Sequence, residues 1–222
     1  MIKAVIFDLD GLLIDSEIIS YKIFQEILDR YGHGFSMDEY AQNYSGKTGI
    51  ANMQKLIRTY QLPLSMGGGL ELAEIIEKGF LDQGVALKKG AKELLSYLRA
   101  CHYKTVVASS STKDRALKIL EQHGIVGDFD GFVFGDEVEK SKPDPEIFLK
   151  ACIKVSEKPE HCLILEDSEA GIQAGFSANI PVICIPDIKL PEQGYLDKTE
   201  AVLDSLEDVI DYVKGQEWKQ DQ

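Results

Sequence analysis

The sequence lacks several features that would assign it to a specialised class of protein. No run of apolar residues approaches the roughly 18 that a membrane-spanning helix needs, and none of the four cysteines forms a Cys-x-x-Cys pair. A chain of 222 residues does not require a framework of disulfides to fold. We therefore expect a cytoplasmic protein with reduced thiols and no membrane association.

Basic residues are scarce relative to acidic ones. The chain carries 24 Lys and Arg against 37 Asp and Glu, which gives a formal net charge of −13. Because such a surface repels the phosphates of nucleic acids and the headgroups of anionic lipids, we expect neither to be a partner. A small anionic ligand is still compatible with this charge if one locally positive site holds it.

Short apolar runs rich in Val, Ile and Phe recur along the chain, each followed by a polar or glycine-containing turn. Runs without polar alternation are typical of strands buried on both faces, as in parallel sheets. Segments with helical spacing lie between the later runs, so the pattern predicts an α/β fold. We expect a Rossmann-like parallel sheet with helices on both faces, built from strands at 4–7, 105–108, 132–134, 163–165 and 182–185.

The spacing of these strands predicts an insertion. Residues 8–104 separate the first two strands, far more than one crossover helix uses. Residues 16–81 have helical spacing throughout, so we expect a helical cap domain there, inserted into an α/β core of residues 1–15 and 82–222. Residues 65–69, with three consecutive glycines, are predicted to form a flexible turn. The last helix should end in a polar, frayed segment at 216–222.

Two carboxylates, Asp8 and Asp10, follow the first predicted strand, where open α/β sheets place their ligands. Two uncompensated anions at this edge are costly. A divalent cation with oxygen ligands, such as Mg²⁺, would balance them. The alternative is that Asp10 and Gly11 only form the turn that ends the strand.

Three further strand ends carry polar groups. Ser109 and Ser110 lie just before a helix, where hydroxyl and backbone N–H groups bind phosphate oxygens. Lys142 precedes a proline ahead of another helix, so its ammonium can neutralise a phosphoryl oxygen. Glu166 and Asp167 fit the other half of a metal site. The alternatives are helix capping for the serines and Asp167, and a solvated side chain for Lys142.

The order and placement of these residues resemble the four motifs of the haloacid dehalogenase superfamily. Residues 8–17, Asp-Leu-Asp-Gly-Leu-Leu-Ile-Asp-Ser-Glu, are similar to the opening signature of its branch with a small helical cap, which includes β-phosphoglucomutase and many sugar-phosphate phosphatases. The resemblance implies that Asp8 is a nucleophile forming an aspartyl phosphate and that Asp10 is the general acid and base. It also implies Mg²⁺ held by Asp8, the Asp10 main-chain carbonyl and Asp167, with Glu166 a direct or water-mediated ligand.

The same resemblance assigns the substrate contacts. Ser109, Ser110 and Lys142 would hold the phosphoryl oxygens, and phosphoryl transfer depends mainly on such positioning and charge stabilisation. The loop that contains Lys47 and Thr48 resembles the family's specificity loop, so both residues are expected to contact the substrate. The alternative for Lys47 is a solvated loop lysine.

The resemblance therefore implies a Mg²⁺-dependent phosphatase, acting as a monomer on a small phosphorylated substrate such as a sugar phosphate. A phosphomutase of the β-phosphoglucomutase kind is the nearest alternative, but the cap histidine of that family is absent from residues 17–20, Glu-Ile-Ile-Ser. A phospho-receiver module gathers similar groups at its strand ends, yet it has no cap. An inactive binding protein is the fourth option.

Overall fold

The structure, a computed structural model, describes residues 1–218. Its six strands are β1 (Ala4–Phe7), β2 (Lys104–Ser109), β3 (Gly131–Phe134), β4 (Cys162–Glu166), β5 (Val182–Cys184) and β6 (Ala201–Val202). They form one sheet in the order β3-β2-β1-β4-β5-β6, and every neighbouring pair is parallel. The predicted Rossmann-like parallel sheet is confirmed.

The chain divides into two compact units. One comprises Met1–Ile14 and the chain from Leu87 onward, and the other comprises Asp15–Ala86. The boundaries predicted from the sequence lie after residues 15 and 81, whereas the structure has them after residues 14 and 86. The second unit contains four helices and no strand: α1 (Ser16–Arg30), α2 (Met37–Asn43), α3 (Gly49–Tyr60) and α4 (Met66–Gln83).

The prediction of a flexible turn at 65–69 is wrong, because α4 begins at Met66. The hydroxyl of Ser65 accepts a hydrogen bond from the Gly68 N–H (3.1 Å) and caps the helix. Gly69 is buried so close to Met53 that a side chain at this position would overlap it. A capping bond and close helix packing therefore outweigh the low helix propensity of glycine.

The two chain segments that join the units are hydrogen-bonded to each other. Ile14 and Leu87 form an antiparallel bridge. The Lys88 N–H donates to the Leu13 carbonyl (2.9 Å), and the Asp15 N–H donates to the Ala86 carbonyl (2.9 Å). We call this pair of segments, residues 13–15 and 86–88, the stem.

Helices cover both faces of the sheet. They are α5 (Ala91–Ala100), α6 (Lys113–Gln122), α7 (Glu146–Lys154), α8 (Glu169–Ser177), α9 (Gln193–Leu196) and α10 (Leu206–Trp218). Buried residues of α7 and α8 pack on the face that carries Ile6, Val106 and Ile164. Side chains alternate along a strand, so Phe7 points to the opposite face, where its ring packs against Phe129 with centroids 5.8 Å apart.

The strand register places the carboxyl ends of β1, β2 and β4 side by side at one edge of the sheet. β1 is completely buried, and its Phe7 lies opposite Val107 of β2 and Leu165 of β4. Because these strands are parallel, the polar residues that follow them emerge side by side.

The C-terminal part of the fold differs from the prediction in two respects. β6 was not predicted. The frayed end was predicted at 216–222, but α10 continues through Trp218, and residues 219–222 lie outside the described residues. None of the helices in residues 1–218 combines the length and apolarity that crossing a bilayer demands.

Candidate active site

A buried group of three charges lies at the carboxyl ends of β1 and β4. The Lys142 ammonium donates to Asp8 Oδ1, to Glu166 Oε1 (2.6 Å) and to the Ala108 carbonyl (3.3 Å). Its nitrogen also lies 4.8 Å from the ring centroid of Phe148. Only 6% of the Lys142 side chain is exposed, and the Glu166 side chain is fully buried. We call Asp8, Lys142 and Glu166 the buried triad.

Burial and mutual charge set the protonation of the buried triad. Burial raises the pKa of Asp8 to about 7, Lys142 opposes this shift, and the charges of Glu166 and Asp10 reinforce it. Burial acts to lower the pKa of Lys142, but the charges of Asp8 and Glu166 outweigh it, so this pKa is raised. Lys142 is therefore an ammonium, and the ionisation of Asp8 depends on positive charge beside it.

Glu166 is fixed by bonds to both of its oxygens. Lys142 donates to Oε1, while the N–H groups of Asp167 and Ser168 (2.8 Å each) and the Ser168 hydroxyl (2.9 Å) donate to Oε2. Ser168 is also the N-cap of α8, accepting from the Gly171 N–H at 3.1 Å. The contact with Lys142 makes Glu166 a partner of the lysine, and its assignment as a direct or water-mediated metal ligand stays a prediction.

A second group of side chains surrounds Asp10. Arg115 Nη1 donates to both carboxylate oxygens (2.8 and 3.0 Å), and the Ser111 hydroxyl donates to Oδ2 (2.6 Å). The Ser109 hydroxyl lies 3.5 Å from Oδ2 and accepts from the Ser111 N–H at 3.1 Å. Ser110 is exposed, and its assignment to the phosphate site stays a prediction.

Ser111 and Arg115, which contact Asp10, were not predicted as site residues from the sequence. Ser111 precedes α6 and Arg115 is the third residue of that helix, and Arg115 Nη1 donates to Ser111 Oγ at 2.7 Å. The serine run at the end of β2 was the available signal for Ser111, and Arg115 had no comparable signal in the sequence.

Asp167 brings the β4 end next to the β1 end. Its carboxylate lies so close to Gly11 that a Cβ at Gly11 would overlap it. Gly11 also has a φ of +85°, which side-chain-bearing residues rarely adopt. The structure thus gathers at one edge six of the residues predicted from the sequence: Asp8, Asp10, Ser109, Lys142, Glu166 and Asp167.

The two residues predicted to select the substrate lie in the helical unit. Thr48 Oγ1 accepts a hydrogen bond from the Ala51 N–H (3.3 Å) and caps α3, and the exposed Lys47 ammonium donates to the Asn43 carbonyl (2.9 Å). These are local structural contacts, and a role in substrate selection stays a prediction for both residues.

The charge balance of the edge favours a cation. Two cations face four carboxylates: Lys142 and Arg115 against Asp8, Asp10, Glu166 and Asp167. Within residues 1–218, no three His, Cys, Asp or Glu side chains form a cluster able to hold a metal. Mg²⁺ commonly takes only one or two carboxylates and completes its shell with water and substrate phosphate. The carboxylates of Asp8 and Asp167 with the Asp10 carbonyl fit that chemistry.

Comparisons with known proteins identify the family of this chain. The family model of the haloacid dehalogenase-like hydrolases matches residues 5–185. The chain is 29% identical over 216 residues to a phosphorylated carbohydrates phosphatase of Thermotoga maritima, which covers 94% of this chain and 100% of the relative. It is 32% identical over 192 residues to the β-phosphoglucomutase of Bacillus subtilis, covering 80% of each chain.

A solved structure adds a likeness over the whole fold. A HAD family hydrolase of Deinococcus radiodurans, with bound phosphate and sodium, matches with a TM-score of 0.80 and 25% identity, over 94% of this chain and 93% of that one. The relatives confirm the predicted enzyme class, a phosphoric monoester hydrolase. With the family model matching most of its length, the chain belongs to the haloacid dehalogenase-like hydrolases.

Proposed function

We propose that this protein is a Mg²⁺-dependent phosphatase that hydrolyses small phosphorylated metabolites, with sugar phosphates as the substrate class. The observation that carries the proposal is the buried triad: a carboxylate at the end of the central strand, paired with a lysine that a second buried carboxylate holds in place. The carbohydrate phosphatase of Thermotoga maritima supports the substrate class.

Asp8 is the nucleophile in this proposal. One of its oxygens forms a bond to phosphorus while the bond from phosphorus to the leaving alcohol breaks, which gives an aspartyl phosphate. Lys142 and Ser109 hold the phosphoryl oxygens and offset their charge. Lys142 also favours the ionised form of Asp8, whose pKa burial raises to about 7.

Asp10 moves the protons. It gives a proton to the leaving oxygen in the first step and takes one from water in the second, when water attacks phosphorus and restores the Asp8 carboxylate. A side chain with both roles must lie beside the nucleophile, as the residue two positions further along the chain does.

The metal has a defined set of ligands in this proposal. Asp8, Asp167 and the main-chain carbonyl of Asp10 would hold Mg²⁺. When bound, Mg²⁺ would screen the repulsion between the anionic phosphate and the Asp8 carboxylate.

The likeness to β-phosphoglucomutase makes a phosphomutase the second candidate. A mutase returns the phosphoryl group to another sugar hydroxyl and must therefore protect its aspartyl phosphate from water. Residues 17–20 lack the histidine that the resemblance associates with the mutase cap, which favours hydrolysis.

The test is orthophosphate release from a panel of sugar phosphates, with and without Mg²⁺. We expect Asp8→Asn to abolish release and Asp10→Asn to lose most turnover. Asp211→Asn is the matched control, because that carboxylate is 89% exposed on α10. Phosphoryl transfer between hydroxyls without orthophosphate release would favour the mutase, and full activity of Asp8→Asn would reject the nucleophile assignment.

A further inference from the structure

The two cations of the catalytic edge have separate partners. Lys142 contacts Asp8 and Glu166, whereas Arg115 contacts Asp10. Both Arg115 and Asp10 are partly sheltered, with 20% and 32% of their side chains exposed. Lys142 is bonded to Asp8 and Glu166, so the orientation of the Asp10 carboxylate depends on another residue.

The contacts of Arg115 constrain the direction of the Asp10 carboxylate. One nitrogen, Nη1, bonds to both oxygens, and the same nitrogen bonds to Ser111 Oγ, which itself donates to Asp10 Oδ2. The three groups close a ring of hydrogen bonds to which α6 contributes Arg115. A carboxylate held at both oxygens cannot rotate about its side-chain torsions without breaking charge-assisted bonds.

Direction matters for a group that transfers protons. A general acid or base works when its oxygen lies about 2.6–3.2 Å from the atom that gives or takes the proton. A displacement of about 1 Å can cost about 100-fold in rate. Asp10 lies on a short turn after β1, so its backbone alone does not fix where the carboxylate points.

We propose that Arg115 is a positioning residue for proton transfer, which holds the ionised Asp10 carboxylate in the direction from which it takes the proton of the attacking water. This inference rests on the proposed function. In this inference Arg115 acts through Asp10, with which it forms an ion pair at 2.8 Å. Ser111 has the smaller share of the same task, since it contacts one oxygen of the carboxylate only.

Steady-state kinetics of Arg115→Gln test this assignment. We expect kcat to fall by about 10- to 100-fold, with KM changed less than about twofold because Asp10 contributes little to ground-state binding. Arg115→Lys should recover part of the loss, since an ammonium can reach the carboxylate as a single point charge. Arg99→Gln is the control, because that arginine is 70% exposed and pairs with Asp128.

A double-mutant cycle separates positioning from a general structural effect. In the Asp10→Asn background the carboxylate is already gone, so Arg115→Gln should cause no further loss. An equal loss in both backgrounds, a rise in KM that accounts for the effect, a rise in kcat, or unchanged kinetics would each overturn the inference. If Arg115→Gln does not fold, Ser111→Ala and Arg115→Lys carry the same cycle.

The outcome for the proposed function is distinguishable. A wild-type enzyme that releases no orthophosphate from any sugar phosphate contradicts the proposed function. A wild-type enzyme that is active, with Asp8→Asn inactive and Arg115→Gln unaffected, contradicts only the role of Arg115.

Discussion

Replacing Lys142 with methionine removes the only cation of the buried triad. Methionine keeps an unbranched apolar side chain against Phe148, so the packing changes little, but the ammonium is lost. Asp8 and Glu166 are then left at the same buried edge without the group that joins them. We expect both stability and activity to fall.

The expected loss of stability follows from burial. Glu166 is fully buried and its partner lysine is 6% exposed, so solvent screens this pair little. Removing one partner of a buried pair costs about 3–5 kcal/mol. For a chain of this length, 1 kcal/mol shifts the unfolding midpoint by about 2–4 °C, so Lys142→Met should lower it by about 6–20 °C.

Thermal unfolding followed by circular dichroism at neutral pH measures this shift. Lys140→Met is the matched control, because that lysine is 72% exposed and pairs with Asp144 at 3.7 Å, and we expect a change within about 0.5 kcal/mol. Adding Glu166→Gln to Lys142→Met should recover part of the loss, since it removes one of the two unpaired charges. A Lys142→Met protein that unfolds at the wild-type temperature would refute the reasoning.

Three further expectations follow from the site and its surroundings. Gly171→Ala should push the Glu166 carboxylate out of place, so we expect lower activity and a loss of about 1–3 kcal/mol in the free energy of unfolding, measured by denaturant titration. Gly79→Ala is the control, because an alanine side chain there meets open space on α4 and should be neutral or stabilising. Equal losses in the two variants would contradict the close contact at Gly171. A hydrogen bond from Lys150, with two backbone N–H donors, lowers the pKa of Glu146 from 4.5 to about 2, so its ionised form stabilises the fold above pH 4.5 and this contribution disappears as pH falls through 2. The difference in unfolding midpoint between wild type and Glu146→Gln should therefore vanish in the same interval, and a constant difference would count against it. Chelation of divalent cations should stop orthophosphate release and Mg²⁺ should restore it; hydrolysis that is indifferent to the chelator would exclude the metal from the proposal.

Five of the six strands could be predicted because they are buried almost throughout. A strand such as β1, with neighbours on both sides and helices on both faces, must be apolar throughout, and that run is visible in the sequence. β6 consists of Ala201 and Val202 at the edge of the sheet and is not fully buried, so it produces no comparable run. The start of α4 at Met66 was not predicted for another reason. The stability of this first turn depends on packing, which the helix propensities of its residues do not report.

The site could be predicted only as far as strand ends determine it. Asp8, Lys142 and Asp167 lie at or shortly after such ends, and parallel strands deliver them to one edge. Arg115 lies in the first turn of α6, and its contact with Asp10 depends on the fold of the turn after β1 rather than on its own sequence context. The bonds that make Glu166 a partner of Lys142 likewise arise from the fold of the following residues, not from a pattern of acidic residues.

The stem makes the helical insertion equivalent, for the α/β unit, to the loop of a hairpin. The entropic cost of closing a loop rises only with the logarithm of its length, so the stem residues Leu13 and Lys88 can remain paired whatever number of residues they enclose. The inserted helical unit could become longer or shorter, or be replaced, while β1 keeps its register with β2 and β4. The inserted unit can therefore change in length without altering the register that brings the strand ends of the α/β unit together.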